Sequence, residues 1–304
     1  GGWGPRGAGA GGGACFLGGG GGGGGGRPPP PPPATQEWLA CHAATANCRP
    51  GLSPHAPYSV HRSLFAQAVD WARRWHAPLA VHLAESAAEL ELLTHRSGSF
   101  VPFLQELGVW EPSGLVADVD EVQRLGYQTQ PALFIHGNRL PAEAAIPPGS
   151  TLVCCPRTSE ALGHGLPPLA AFHDRGVRIA LGTDSLASSP SLSVLDEVRY
   201  LFRRGLHVAP ATLLRWATLS GAEALGWQEE TGSLEPGKSA DLVVVPLPGP
   251  PVADPYEWLL GSTQAPACVV IRGAVVWPVA TAEGLGEGSS GPMPAAPPPP
   301  ADLY

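Results

Sequence analysis

Lysine is almost missing from this sequence: Lys238 is the only one, so arginine supplies the rest of the 18 basic residues. That excludes a Walker lysine on a nucleotide phosphate, a Schiff-base lysine, and a carbamylated lysine bridging two metals. Charge of either sign is scarce, at 14% of residues, and the net charge of −8 excludes a general binder of nucleic acid or anionic membrane. The six cysteines, Cys15, Cys41, Cys48, Cys154, Cys155 and Cys268, include no C-x-x-C pair. A zinc ribbon or disulfide framework is therefore not expected, and a reducing compartment fits better. No apolar run reaches the roughly 18 residues that span a bilayer. No basic n-region followed by an apolar core opens the chain. A soluble, cytoplasmic protein is the expectation.

Glycine and proline are abundant instead, and they gather at the ends. Gly18 to Gly26 is an unbroken glycine run, Arg27 follows, and Pro28 to Pro33 is an unbroken proline run. Residues 279–304 are rich in Gly, Pro, Ala and Ser. Neither segment can bury enough apolar surface to offset the entropy of ordering it. Residues 1–33 and 279–304 are therefore expected to be disordered tails, with Pro28–Pro33 a candidate docking peptide for an SH3- or WW-type domain.

Between the tails, short apolar runs alternate with helical patterns. Glu37 to Ala46 reads as weakly helical, and Arg49 to His55 as a strand entering a loop. Ser59 is placed to cap a helix carrying Leu64, Phe65, Ala68, Val69 and Ala72. Pro78-Leu79-Ala80-Val81-His82 reads as a buried strand, and Ser86 with Glu89 has the spacing of a helix capping box. Further strands end at His136, Cys155 and Asp184. Strand and helix alternating at this spacing imply parallel βα units.

His55, His82, His136 and Asp184 each fall just past the carboxyl end of a different strand, where α/β proteins gather their site residues. Alone, the His82-x-x-Glu85 motif is most simply a buried histidine with a satisfied neighbour. Four ionisable groups in equivalent places favour an active site instead. Other positions read more plainly. His61, His76, His95 and His173 are surface residues by this reading, Glu89 and Glu91 solvated helix charges, Cys154 and Cys155 core residues, and Asp241 a structural turn residue.

The stretches Ser53-Pro54-His55-Ala56-Pro57-Tyr58-Ser59, His82-Leu83-Ala84-Glu85, Ile135-His136-Gly137, Cys155-Pro156-Arg157 and Gly182-Thr183-Asp184-Ser185 resemble the amidohydrolase superfamily. Thr231 to Val244 resembles its C-terminal signature. The resemblance is closest to the cytosine/adenosine-deaminase-like and chlorohydrolase-like branch, and extends over residues 34 to 278. It implies a TIM (β/α)8 barrel and one divalent metal, zinc or else iron or manganese. The reaction implied is hydrolysis of a carbon–nitrogen bond, as in deamination of an aminated heterocycle or nucleoside.

By the same resemblance His82, His136 and Asp184 bind the metal, with His136 and Asp184 also holding the attacking water. Glu85 carries a proton from that water to the leaving nitrogen. His55, Arg157 and His164 contact the substrate.

Two departures accompany it. No two of the ten histidines are separated by a single residue, so the family's His-x-His pair is missing. Apart from the weakly helical Glu37 to Ala46, little but glycine and proline runs precedes the fourth-strand motif, whereas a full barrel takes about 250 residues. The expectation is an N-terminally incomplete barrel, about strands 4–8, over 34–230. A remnant of a small C-terminal β-sandwich domain is expected over 231–278. An inactive, truncated pseudoenzyme or interaction module stays open beside the enzyme. A small-molecule substrate, a homo-oligomer and a ligand of the proline tract are the candidate partners.

Overall fold

The computed structural model describes residues 13–19, 44–45, 48–126, 128, 131–247, 249 and 253–277. The proline tract, the 279–304 tail and all but residues 44–45 of the expected first helix lie outside them. Six strands make one parallel sheet: β1 (Gly13–Gly19), β2 (Cys48–Pro54), β3 (Leu79–Leu83), β4 (Ala132–His136), β5 (Thr151–Cys154) and β6 (Arg178–Leu181). They lie side by side in chain order. Helices occupy the connections: α1 (Arg62–Trp75), α2 (Ala87–His95), α3 (Phe100–Glu106), α4 (Val119–Gly126), α5 (Pro156–Ala161) and α6 (Leu169–Asp174). After β6 come α7 (Val194–Arg203), α8 (Pro210–Trp216), α9 (Leu219–Leu225) and α10 (Pro255–Gly261). None of the described helices is long and apolar enough to cross a membrane.

β3 to β6 are buried almost end to end, as expected where both faces of a parallel sheet are covered. In β3 every residue but His82 is buried. Phe65, Val69 and Ala72, at helical spacing on α1, join Val81, Phe134, Leu152, Ile179, Val198 and Leu201 in one core cluster. A smaller cluster on the other face joins Ala80 and Leu133 to Ala224 of α9. In β3 and β4, Leu79 pairs with Ala132 and Leu83 with His136, so both tips end level.

Two local expectations are corrected. His61, not Ser59, caps α1, accepting from the Ser63 amide. Five strands were expected, and β1 makes a sixth. It arises in the glycine-rich stretch expected to be a tail, and pairs with β2 from Gly13↔Cys48 to Gly19↔Pro54. The edge of β2 offers unpaired N–H and C=O groups, and backbone pairing requires no particular side chain.

A second, antiparallel sheet holds β7 (Leu242–Val244), β8 (Cys268–Ile271) and β9 (Ala274–Trp277). Its hairpin turns through Arg272 and Gly273, both at positive φ, as a two-residue turn between twisted strands requires. Asp241 accepts from Arg272 N at 2.7 Å, Ser239 Oγ at 2.9 Å and Thr231 Oγ1 at 3.0 Å. Three donors on one carboxylate make it a structural anchor, in keeping with its reading from sequence.

Candidate metal-dependent active site

His82 sits at the end of β3 with its backbone N–H donating to His55 O at 2.8 Å. Its ring Nδ1 lies 3.0 Å from the same carbonyl. A carbonyl can only accept, so Nδ1 carries the proton and Nε2 keeps its lone pair, the tautomer a metal ligand needs. Ala84 then turns at φ 51° and brings Glu85 round to the strand tip.

The Ser86–Glu89 cap forms as expected, with Ser86 Oγ accepting from Glu89 N at 3.2 Å. The Glu89 side chain corrects the sequence reading, because it is fully buried. Its two oxygens accept from Ala84 N and Glu85 N, each at 2.9 Å. The left-handed turn leaves those two amides without ladder partners, and the carboxylate satisfies both. Burial, opposed by those backbone bonds, lifts the Glu89 pKa to about 7.

His136 ends β4 in the left-handed region, at φ 72°. Its register partner is Leu83, whereas His82 pairs with Ile135. A regular strand would therefore put the two imidazoles on opposite faces. Relative to a parallel strand near −120°, a φ of 72° turns Cβ about half a revolution around N–Cα. The rings consequently meet, with centroids 5.3 Å apart. Burial first, then the imidazoles of His82, His164 and His55, press the His136 pKa down to about 3, so its ring is neutral.

Asp184 follows β6, again left-handed at φ 59°. Its Oδ2 accepts from Ser188 Oγ at 3.2 Å, and Ser188 Oγ lies 3.3 Å from Thr158 Oγ1. Glu85 Oε1 lies 3.6 Å from His136 Nε2. Burial, then the Asp184 charge, raise the Glu85 pKa. One ligand atom each from Glu85, His136 and Asp184 falls within 4.8 Å of the other two. Ligand atoms round a tetrahedral zinc are about 3.4 Å apart, so this set needs only modest closure.

The residues fit a divalent ion on two further grounds. Neutral imidazole and carboxylate are the donors that zinc, iron or manganese accept. Nδ1 of the buried His136 ring also has no hydrogen-bond partner, a shortfall that most buried polar atoms do not show. His82 stands outside the tightest trio, with its ring beside that of His136.

The expected substrate residues divide. His55 lies at the exposed rim, its Nδ1 2.7 Å from Ser59 Oγ. Partial burial and then His82 lower its pKa, against an opposing pull from Asp184. His164 is close enough to bear on His136, and its own pKa is lowered by burial and by Arg139. Arg157 has its Nη1 engaged within the protein. Its guanidinium is 2.9 Å from Ser191 Oγ, 3.6 Å from Glu197 and 3.7 Å from Asp196.

Sequence reasoning missed Asn138 and Ser159. Asn138 Nδ2 donates to Glu85 O at 3.2 Å, and Ser159 Oγ donates to Asn138 Oδ1 at 3.0 Å. The peptide of Glu85 is thus held at its N–H by Glu89 and at its C=O by Asn138. An asparagine two residues past a strand-end histidine was the available signal.

A parallel α/β sheet with imidazoles and carboxylates at neighbouring strand tips describes a class, the metal-dependent hydrolases. The family model described as "Amidohydrolase family" matches residues 34–276, and the chain belongs to that family. The 5-methylthioadenosine/S-adenosylhomocysteine deaminase of Syntrophobacter fumaroxidans is 34% identical over 242 residues, covering 75% of this chain and 50% of that protein. The aminodeoxyfutalosine deaminase of Nitratiruptor sp. is 31% identical, covering 72% and 55%. A solved adenosine deaminase from Xanthomonas campestris with bound zinc superposes with a TM-score of 0.64 at 26% identity, covering 80% of this chain and 55% of that one. The chain spans about half the length of the curated relatives it matches.

Proposed function

We propose that this chain carries the proton-transfer half of a hydrolytic deaminase, acting on the amino-bearing carbon of a nucleoside-like heterocycle. The observation that carries the reading is the convergence of Glu85, His136 and Asp184 within 4.8 Å at three strand tips. The named deaminases among the relatives support the substrate class. The strand order of the parallel sheet suits an arc of a (β/α)8 barrel, with β2–β6 in the place of about strands 4–8, and β7–β9 suit the end of a small second domain. His82, His136 and Asp184 would hold one ion, zinc by preference.

Such an ion supplies a water whose pKa is lowered toward about 7. The remaining work belongs to the chain. Glu85, its pKa raised and its peptide held on both sides, takes a proton from the attacking water and delivers it to the departing nitrogen. Asp184 orients the water, while His136, neutral and buried, keeps its lone pair for the ion. Water and the amine give the carbonyl tautomer and ammonia, with the proton balance kept by Glu85. His55 and His164, at the rim, face the rest of the substrate.

The test is ammonia release from adenosine and 5′-substituted adenosines by the zinc-loaded protein. Glu85→Gln is expected to lower turnover by about 10²–10⁴ with zinc uptake retained. Nucleoside binding without ammonia release from any of these would instead support the binding-module alternative and sink the catalytic reading.

A further inference from the structure

β5 lies between β4 and β6 in the main sheet, and so between the tips that carry His136 and Asp184. In the site proposed above, neither β5 nor α5 supplies a metal ligand or the proton carrier. α5 opens directly after β5, with Cys155 between them. Thr158 and Ser159, in its first turn, are both fully buried. Neighbours on a helix point about 100° apart, and these two hydroxyls reach opposite strands.

Thr158 reaches towards β6. Its Oγ1 is 3.2 Å from Thr183 O and 3.3 Å from Ser188 Oγ. Ser188 Oγ in turn donates to Asp184 Oδ2 at 3.2 Å. A carboxylate can only accept, so the Ser188 oxygen is left to accept from Thr158. Asp184 is thereby held from α5 through the carbonyl before it and through its own carboxylate.

Ser159 reaches the other way. Its Oγ donates to Asn138 Oδ1 at 3.0 Å, and Asn138 Nδ2 donates to Glu85 O at 3.2 Å. Only the nitrogen of an amide can face a carbonyl, which fixes the orientation of Asn138.

α5 has no side-chain cap of its own. Glu197 of α7, fully buried, supplies one, with its Oε2 accepting from Arg157 N at 2.9 Å. Its Oε1 is 3.4 Å from Ser189 Oγ, so the same carboxylate links the first turn of α5 to the loop after Asp184. Burying hydroxyls is costly unless they are bonded, and a helix with a packing role alone would present apolar side chains there. Here both bonded paths end on residues of the site.

We infer that Thr158 and Ser159 are positioning residues, through which α5 fixes Asp184 on one side and Glu85 on the other. Thr158 acts on the metal ligand and Ser159 on the proton carrier, so their effects separate. The inference rests on the deaminase reading above.

Two readouts test it: zinc affinity by titration calorimetry, and ammonia release from adenosine and 5′-substituted adenosines at saturating zinc. Thr158→Val keeps the shape and loses the hydroxyl. It is expected to weaken zinc binding about tenfold, and Thr158→Ser to restore it. Thr158→Ala gives the same comparison if the valine variant does not fold. Ser159→Ala, or Asn138→Ala at the other end of that bond, is expected to lower kcat about tenfold with KM unchanged. Zinc affinity in these two is expected to stay within about twofold of the parent. Parent zinc affinity in the Thr158 variants, or parent kcat in Ser159→Ala and Asn138→Ala, would overturn the inference. An equal fall in zinc affinity in Thr158→Val and Ser159→Ala would mark a merely structural helix and overturn it too. A parent that binds zinc and releases no ammonia defeats the deaminase reading and this inference with it. Turnover in the parent with the split missing defeats this inference alone.

Discussion

Three non-glycine residues at the site, Ala84, His136 and Asp184, hold positive φ. Each such residue costs roughly 1–2 kcal/mol, and together they aim the side chains that sheet alternation would scatter. Glu89 secures the first of these turns through both of its oxygens. Glu89→Ala leaves two buried amides without partners and is expected to cost about 2–4 kcal/mol in urea unfolding, with Glu89→Gln costing less because one acceptor remains. The same residue makes stability pH-dependent. Its pKa rises from the ordinary 4.5 to about 7 on folding, so the unfolded chain gives up this proton first. Its contribution is full below about pH 4.5 and is lost as pH rises through 7. Unfolding curves of the metal-free protein across that range are expected to show a decline that Glu89→Gln lacks. An equal decline in both would assign it to other groups.

At the scale of elements, what matters is how a strand hands over to the loop that follows. Gly137 sits at φ 64°, and a Cβ there would lie 2.6 Å from Leu152 Cδ1 of the neighbouring strand. Gly137→Ala therefore combines a left-handed penalty with overpacking and is expected to cost about 2–4 kcal/mol, read as a lower urea midpoint. A midpoint unchanged from the parent would mean that β4 and β5 part easily at this point. α7 shows the complementary device. Arg199, buried on it, donates to Ser262 Oγ and Gln264 O, each at 2.9 Å, and so ties the segment after α10 to the main body.

For the whole molecule the expectation concerns metal linkage. Zinc at a hundredfold its dissociation constant is expected to raise unfolding free energy by about 2.7 kcal/mol, and chelation to reverse it. Asp184→Asn, near-isosteric but uncharged, is expected to lose most of that gain. A thermal midpoint that ignores zinc would remove His82, His136 and Asp184 as ligands. The main sheet carries the site at its carboxyl edge, while the β7–β9 sheet lies outside it, so variants in β8 or β9 bear on stability rather than on zinc.

The strands of His82, His136 and Asp184 were legible because apolar runs, turn residues and a capping box are local signals, read one segment at a time. The family was legible for the same reason, since its motifs are short and ordered along the chain. Glu89 was misread because its helical position says nothing about a turn five residues back whose amides need an acceptor. The tie of Arg157 Nη1 to Asp196 and Glu197, remote in sequence, was not legible. The contact that joins the His82 and His136 rings has no sequence period at all. Sequence by itself determined which residues stand at strand ends, because hydrophobic periodicity is a property of neighbours along the chain. Only the tertiary structure decided which way those residues point, because a single φ near +60° turns a side chain to the other face of the sheet. Such a turn is stabilised by partners distant along the chain.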